Sequence, residues 1–132
     1  MMKAERSELL EHDAQAGRRV LIVDDHPSFR SCVRALLTSE GFVVVGEAED
    51  GESALALTAE LSPDLVLLDI QLPDISGFEV VSRLHEKHPE LEVVLISSRD
   101  QNAYGSSLGA SGALGFITKG ELSGPALSRL LK

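Results

Sequence analysis

The chain has 132 residues, 43% of them hydrophobic, with 12 Lys and Arg against 21 Asp and Glu for a formal charge of −9. That length holds one domain with a real core and leaves no room for a second folded module, and the apolar content excludes an intrinsically disordered chain. An acidic surface repels phosphate backbones, so direct nucleic-acid binding is not expected of this chain, and metal cations are its more natural ligands. No apolar run approaches the ~18 residues that a membrane helix needs, and the N-terminus lacks the apolar stretch of a signal peptide, which predicts a cytoplasmic protein without membrane contact. The single cysteine, Cys32, has no partner for a disulfide or a thiolate zinc site and falls where a helix would turn inward, so core packing is expected of it.

Residues 1–18 hold few apolar positions and run into Ala16-Gly17-Arg18, so they are expected to form a mobile or loosely docked extension. Over residues 1–19, Lys3, Arg6, Arg18 and Arg19 balance Glu5, Glu8, Glu11 and Asp13, which leaves the acid excess in the residues that follow. From Val20 onward, runs of Val, Ile and Leu alternate with segments of helical period, the pattern of repeated βα units around a parallel sheet. Strands are predicted over 20–23, 42–47, 65–68, 93–96 and 113–117. Most are apolar without alternation, so helices must cover both faces of the sheet in an α/β doubly wound arrangement. The first helix should start at Pro27 and stop at Gly41, with Phe29, Val33, Leu36 and Leu37 on its inner face. Further helices are predicted over 52–61, 77–87 and 121–131. Between them, 101–110 contains Gly105, Gly109, Ser106 and Ser107 and has Leu108 as nearly its only large aliphatic anchor, so a short or irregular helix is expected there.

Chemistry in a doubly wound sheet lies beyond the carboxyl ends of the strands. The first strand ends Val23-Asp24-Asp25, the third Leu68-Asp69, the fourth Ile96-Ser97 and the fifth Ile117-Thr118-Lys119. Two unit charges about 4 Å apart repel by about 4 kcal/mol at an effective dielectric near 20, so carboxylates converging on one edge call for a cation or raised pKa values. An all-oxygen set with open positions suits Mg²⁺. Beside such a metal, a carboxylate can attack a phosphoryl group to give an acyl phosphate, while Ser97 supplies a hydrogen-bond donor and Lys119 a cation. Each residue alone has a plainer explanation: Asp24-Asp25 as a helix cap, Asp69 as a partner for loop amides, Lys119 as a surface charge. Their conjunction on successive strand ends is what independent caps would not produce.

This set resembles the receiver domains of two-component response regulators across about residues 19–132. It comprises Asp24-Asp25-His26-Pro27, Asp69 with Pro73 and Gly77 four and eight positions on, Ser97 at 28 and Lys119 at 50 positions beyond Asp69. The resemblance implies a flavodoxin-like five-stranded parallel sheet of order 2-1-3-4-5 with helices on both faces. It implies Asp69 as the phospho-acceptor, direct Mg²⁺ ligation by Asp25, Asp69 and the Gln71 carbonyl, and Asp24 acting mainly through water. Ser97 and Lys119 would contact the incoming phosphoryl group, and Phe116 matches the switch aromatic, a position that a plain core or edge ring would fill equally well. Partners implied are a sensor histidine kinase or phosphotransfer protein, with a homodimer also compatible. Asp-Asp-His-Pro and Lys119-Gly120 look like the NarL/LuxR type, which usually carries a DNA-binding helix-turn-helix; none is legible in these 132 residues, as expected either of a stand-alone receiver or of one whose output domain lies outside them.

Rival chemistries fit less well. An aspartyl-nucleophile phosphatase needs a second acid two positions after the first, where His26 stands. A dinucleotide site needs a Gly-rich turn where Asp24-Asp25-His26-Pro27 lies, and His85-Glu86-Lys87-His88 has the wrong spacing for a zinc protease and reads as a solvated helix face. The remaining alternative is a degenerate receiver that acts as a phosphorylation-independent interaction module, against which stands the completeness of the site. Phosphorylation is expected to shift the order of segment 101–110.

Overall fold

The structure is a computed structural model that describes residues 16–131. Five strands, β1 (Arg19–Val23), β2 (Val43–Ala48), β3 (Leu65–Asp69), β4 (Glu92–Ser97) and β5 (Gly115–Thr118), form one sheet in the order β2-β1-β3-β4-β5. Every neighbouring pair is parallel. Helices α1 (Pro27–Ser39), α2 (Gly51–Leu61), α3 (Gly77–Lys87), α4 (Ser107–Ala110) and α5 (Gly124–Leu130) alternate with them.

The unbroken apolarity of the central strands has the consequence expected of it. Side chains alternate between the two faces of a strand. Val20, Ile22, Leu65, Leu67, Val94 and Ile96 therefore meet Val33 and Leu37 of α1 and Leu127 of α5 on one face. Leu21, Val23, Val66, Leu68, Val93 and Leu95 meet Ala54 of α2 and Val80, Val81 and Leu84 of α3 on the other. Both layers are fully buried at β1, β3 and β4, which fixes the strand ends, and with them the site, on a rigid floor.

Several boundaries depart from expectation for local reasons. The last strand starts at Gly115, two residues late, because the Ser111 hydroxyl takes the Ala113 N–H into a turn. The last helix starts at Gly124 and not at residue 121: Lys119–Glu121 is a 3₁₀ turn, Leu122 is extended, and Ser123 caps the helix by accepting the Ala126 N–H at 3.1 Å with Pro125 in the first turn. Segment 101–110 divides into a 3₁₀ turn, Gln101–Ala103, and the four-residue α4, which agrees with the irregular helix predicted there.

Cys32 is exposed and not in the core, since α1 turns Val33 and Leu37 inward and leaves Cys32 on its rim. His85 is only half-exposed and donates from Nε2 to the Leu91 carbonyl at 3.0 Å, so the predicted solvated face holds for Glu86 and Lys87 alone. Most of the predicted extension, residues 1–15, lies outside the described residues. Its final residues contact the fold: the Gly17 N–H donates to the Gly41 carbonyl at 2.9 Å, and the Arg18 guanidinium pairs with Glu92. Among the described residues no helix is long and apolar enough to cross a membrane.

Candidate functional site

The parallel register brings the strand ends level. Val23 pairs with Leu68, Asp69 with Ile96, and Ser97 with Thr118, so the residues ending β1, β3, β4 and β5 open onto one edge. Asp24 and Asp25 follow β1, Asp69 closes β3, Ser97 closes β4 and Lys119 follows β5.

Asp24 is fully buried. Its Oδ1 accepts the His26 backbone N–H at 2.8 Å, and Oδ2 lies 2.6 Å from Lys119 Nζ. Asp69 is 3% exposed, its Oδ1 accepting the Gln71 N–H at 3.1 Å and its Oδ2 accepting from Lys119 Nζ at 3.3 Å. Asp25 keeps 35% of its side chain exposed and lies 3.1 Å from His26 Nδ1 through Oδ1. One ligand atom from each of Asp24, Asp25, His26 and Asp69 falls within 4.8 Å of the others.

Two effects set the charge balance. Burial is the largest influence on Asp69 and raises its pKa; the Asp24 carboxylate pushes the same way, and together they outweigh the Gln71 N–H and the Lys119 ammonium. For Lys119, burial favours the neutral amine, but the Asp24 and Asp69 carboxylates reverse this and hold it above its ordinary value, so it is a fixed cation at neutral pH. Nζ also sits 4.6 Å from the centre of the Phe29 ring, which favours the charged form.

One ammonium does not satisfy three carboxylates. Asp24 Oδ2 and Asp25 Oδ1 are buried without a hydrogen-bond partner, the Lys119 approach to Asp24 being a close ion pair without hydrogen-bond geometry. Anionic oxygens that face one space with ion-pair contacts but no hydrogen bond, in an oxygen-dominated donor set, fit a hard divalent cation.

Local structure holds the site in place. Gly77 begins α3 so close to the end of β3 that a Cβ there would lie 2.6 Å from the Asp69 carbonyl and 2.7 Å from Ile70 Cα, both immovable backbone. Its N–H donates to the Ile70 carbonyl at 2.7 Å, which makes glycine at this spacing a steric requirement of the acceptor turn. Arg30 donates from its guanidinium to the Asp24 carbonyl at 2.6 Å and from Nε to Glu47 at 2.9 Å, and so ties the loop after β1 to β2. Sequence alone gave no signal for Arg30 beyond its place on an exposed-looking helix.

Ser97 is fully buried at the end of β4. Its Oγ accepts the Arg99 N–H at 3.1 Å and shares a short hydrogen bond with the hydroxyl of Tyr104. Tyr104 was not among the predicted site residues. Sequence gave no signal for it, since 101–110 has no continuous helical period; the fold alone sets it beside Leu108 on one core face. Phe116, on β5, is half-buried and meets Tyr104 edge-on, with ring centres 6.1 Å apart.

A family model described as the response regulator receiver domain matches residues 20–128. Response regulator GacA of Pseudomonas viridiflava is 39% identical over 103 residues, which cover 77% of this chain and 48% of that protein. The chain thus spans about half the length of the curated relatives it matches. The signal receiver domain of NarL from Mycobacterium tuberculosis matches with a TM-score of 0.76 at 36% identity, over 88% of this chain and 98% of that one. The response regulator TrrA of Thermotoga maritima, determined in complex with Mg(2+)-BeF, matches with a TM-score of 0.70 at 34% identity, over 76% of this chain and 85% of that one.

Proposed function

The chain belongs to the response-regulator receiver domain family, and on that premise we propose that it is a phospho-acceptor switch with Asp69 as the acceptor. The observation that carries this reading is the confinement of buried Asp69 beside Asp24 and Lys119, with two carboxylate oxygens at the same edge buried without a hydrogen bond. A carboxylate so placed is a nucleophile poised next to a cation. An Asp69 carboxylate oxygen attacks the phosphorus of a phosphohistidine on a sensor kinase or phosphotransfer protein, the P–N bond breaks, and the imidazole leaves. The Lys119 ammonium follows the growing negative charge from the carboxylate to the phosphoryl oxygens, and the Ser97 hydroxyl donates to one of them.

Asp24, Asp25, Asp69 and the Gln71 carbonyl would hold Mg²⁺. When bound, it neutralises charge on the phosphoryl oxygens. The reaction is stoichiometric, one group per Asp69, so the domain is a switch and not a turnover enzyme. Residues 19–132 form the receiver; the output lies in a partner or in a further segment, and would be transcription regulation if it follows relatives such as BvgA of Bordetella pertussis, named as a transcription regulator.

Incubation with acetyl phosphate and Mg²⁺ tests the reading by intact mass. One added phosphoryl group is expected, absent from Asp69→Asn and absent with chelator. An unchanged wild-type mass would remove the phospho-acceptor function and leave an interaction module.

A further inference from the structure

The Ser97 hydroxyl that the phosphoryl group needs already has a partner. Ser97 carries one O–H, and its oxygen is occupied by the Arg99 N–H at 3.1 Å. The phosphoryl oxygens only accept, so Ser97 can serve them solely by donating that one hydrogen. Tyr104 shares the short hydrogen bond with the same hydroxyl. Ser97 is fully buried, whereas Tyr104 is half-buried. With Ser97 donating, the single hydrogen of the fully buried residue is satisfied and the half-buried Tyr104 accepts, the direction on which the following rests.

We propose that Tyr104 is a positioning residue that competes with the phosphoryl group for the Ser97 hydroxyl, so that phosphorylation of Asp69 releases Tyr104 and frees the segment that carries it. The proposal rests on the Asp69 reading above. A charged phosphoryl oxygen is the stronger acceptor, since charge-assisted hydrogen bonds are roughly twice as strong as neutral ones, and it wins the exchange. Tyr104 has little local structure to hold it once released. It follows the 3₁₀ turn Gln101–Ala103 and precedes Gly105 at φ +56°, and α4 has only four residues. Its ring stands edge-on between Phe78 at 5.8 Å and Phe116 at 6.1 Å, so its departure alters packing at the start of α3 and on β5 together.

The chain contains one tyrosine and no tryptophan, so its near-UV absorbance and intrinsic fluorescence report this side chain without a probe. In the wild type with acetyl phosphate and Mg²⁺, the tyrosine signal should change with the same time course as the gain of phosphoryl mass. In Ser97→Ala, whatever phosphoryl group is gained should leave that signal flat. Tyr104→Phe keeps the ring and removes the competitor; it should take up the phosphoryl group roughly threefold to tenfold faster than wild type, the span that one hydrogen bond supplies. Wild-type protein that gains mass with a static tyrosine signal, or a folded Tyr104→Phe variant that reacts no faster, would overturn the proposal while leaving the Asp69 reading standing. A wild-type chain that gains no mass overturns both.

Discussion

Lys119 is the residue on which the charge balance of the site depends, because it stands 2.6 Å from one buried carboxylate and 3.3 Å from another. Replacing it with methionine keeps the stem and removes the charge. Asp24 and Asp69 would then face each other without compensation, which should cost about 3 kcal/mol, the lower end of what a buried pair loses with one partner. Urea denaturation of Lys119→Met checks this, and millimolar Mg²⁺ should restore part of the loss by supplying the missing cation. Asp74 presents the opposite case, an acid at the surface whose charged form is stabilised. Slight burial opposes ionisation, but the N–H groups of Gly51 and Glu52, at 2.8 and 2.9 Å, outweigh it and hold the carboxyl below its ordinary value. A depressed folded pKa means the contribution is complete above the unfolded value, near 3.9, and is lost as pH falls through the lower folded value. Asp74→Ala should therefore cost about 1 kcal/mol at pH 7, as lost helix caps do, and the gap to wild type should close in acid below that folded value. These roles differ in how far the sequence discloses them: the strand-end pattern exposes Lys119, whereas Asp74 lies in a loop and finds α2 only through the fold.

Segment 101–110 holds little regular helix, a 3₁₀ turn and the four-residue α4. Among the backbone bonds at its turns, the Ala103, Tyr104 and Ser107 N–H groups reach only three residues back, and the Ala110 N–H alone reaches four. Its two glycines should respond to substitution with opposite signs. A Cβ at Gly109 meets open space at an ordinary φ, so Gly109→Ala should stabilise the segment by about 0.5 to 1 kcal/mol and slow its amide exchange. Gly105 also faces open space but sits at φ +56°, so Gly105→Ala should bring strain and faster exchange. Hydrogen exchange of both variants beside wild type checks the pair. The irregularity itself is legible in sequence, because glycine and serine weaken a helix whatever surrounds it. The boundaries of α3 are legible for the same reason: Ser76 caps one end and His88-Pro89 closes the other. The start of α5 was not, since an apolar period running back to residue 121 concealed the stronger signal of Ser123 followed by Pro125, and Cys32 was misplaced because one residue of helical rotation separates the rim from the buried Val33. Tyr104 escaped for a related reason, its segment having no period to say which way a side chain points.

At the scale of the whole molecule, the sheet divides the interior into two apolar layers, and the layer facing α1 is closed by the last helix. α5 has seven residues, too few to be helical alone, so its order must come from what it buries. Leu127 is fully buried among the residues lining that layer, and Leu131 is 8% exposed beside it. Truncation at Leu127 removes the anchor and leaves a cavity against β1, β3 and β4, whose rigid ladders cannot collapse to fill it. Leu127→Ala should therefore cost about 2 to 5 kcal/mol, a large share of the 5 to 15 kcal/mol that domains of this kind possess. The loss should appear across the whole chain and not only at its end, because β1 and β3, which carry Asp24 and Asp69, form the floor of the same layer. Chemical denaturation followed by far-UV circular dichroism should show one cooperative transition at a lower midpoint. A separate early transition confined to the last helix would mean that α5 is an appendage and that the acid site stands without it.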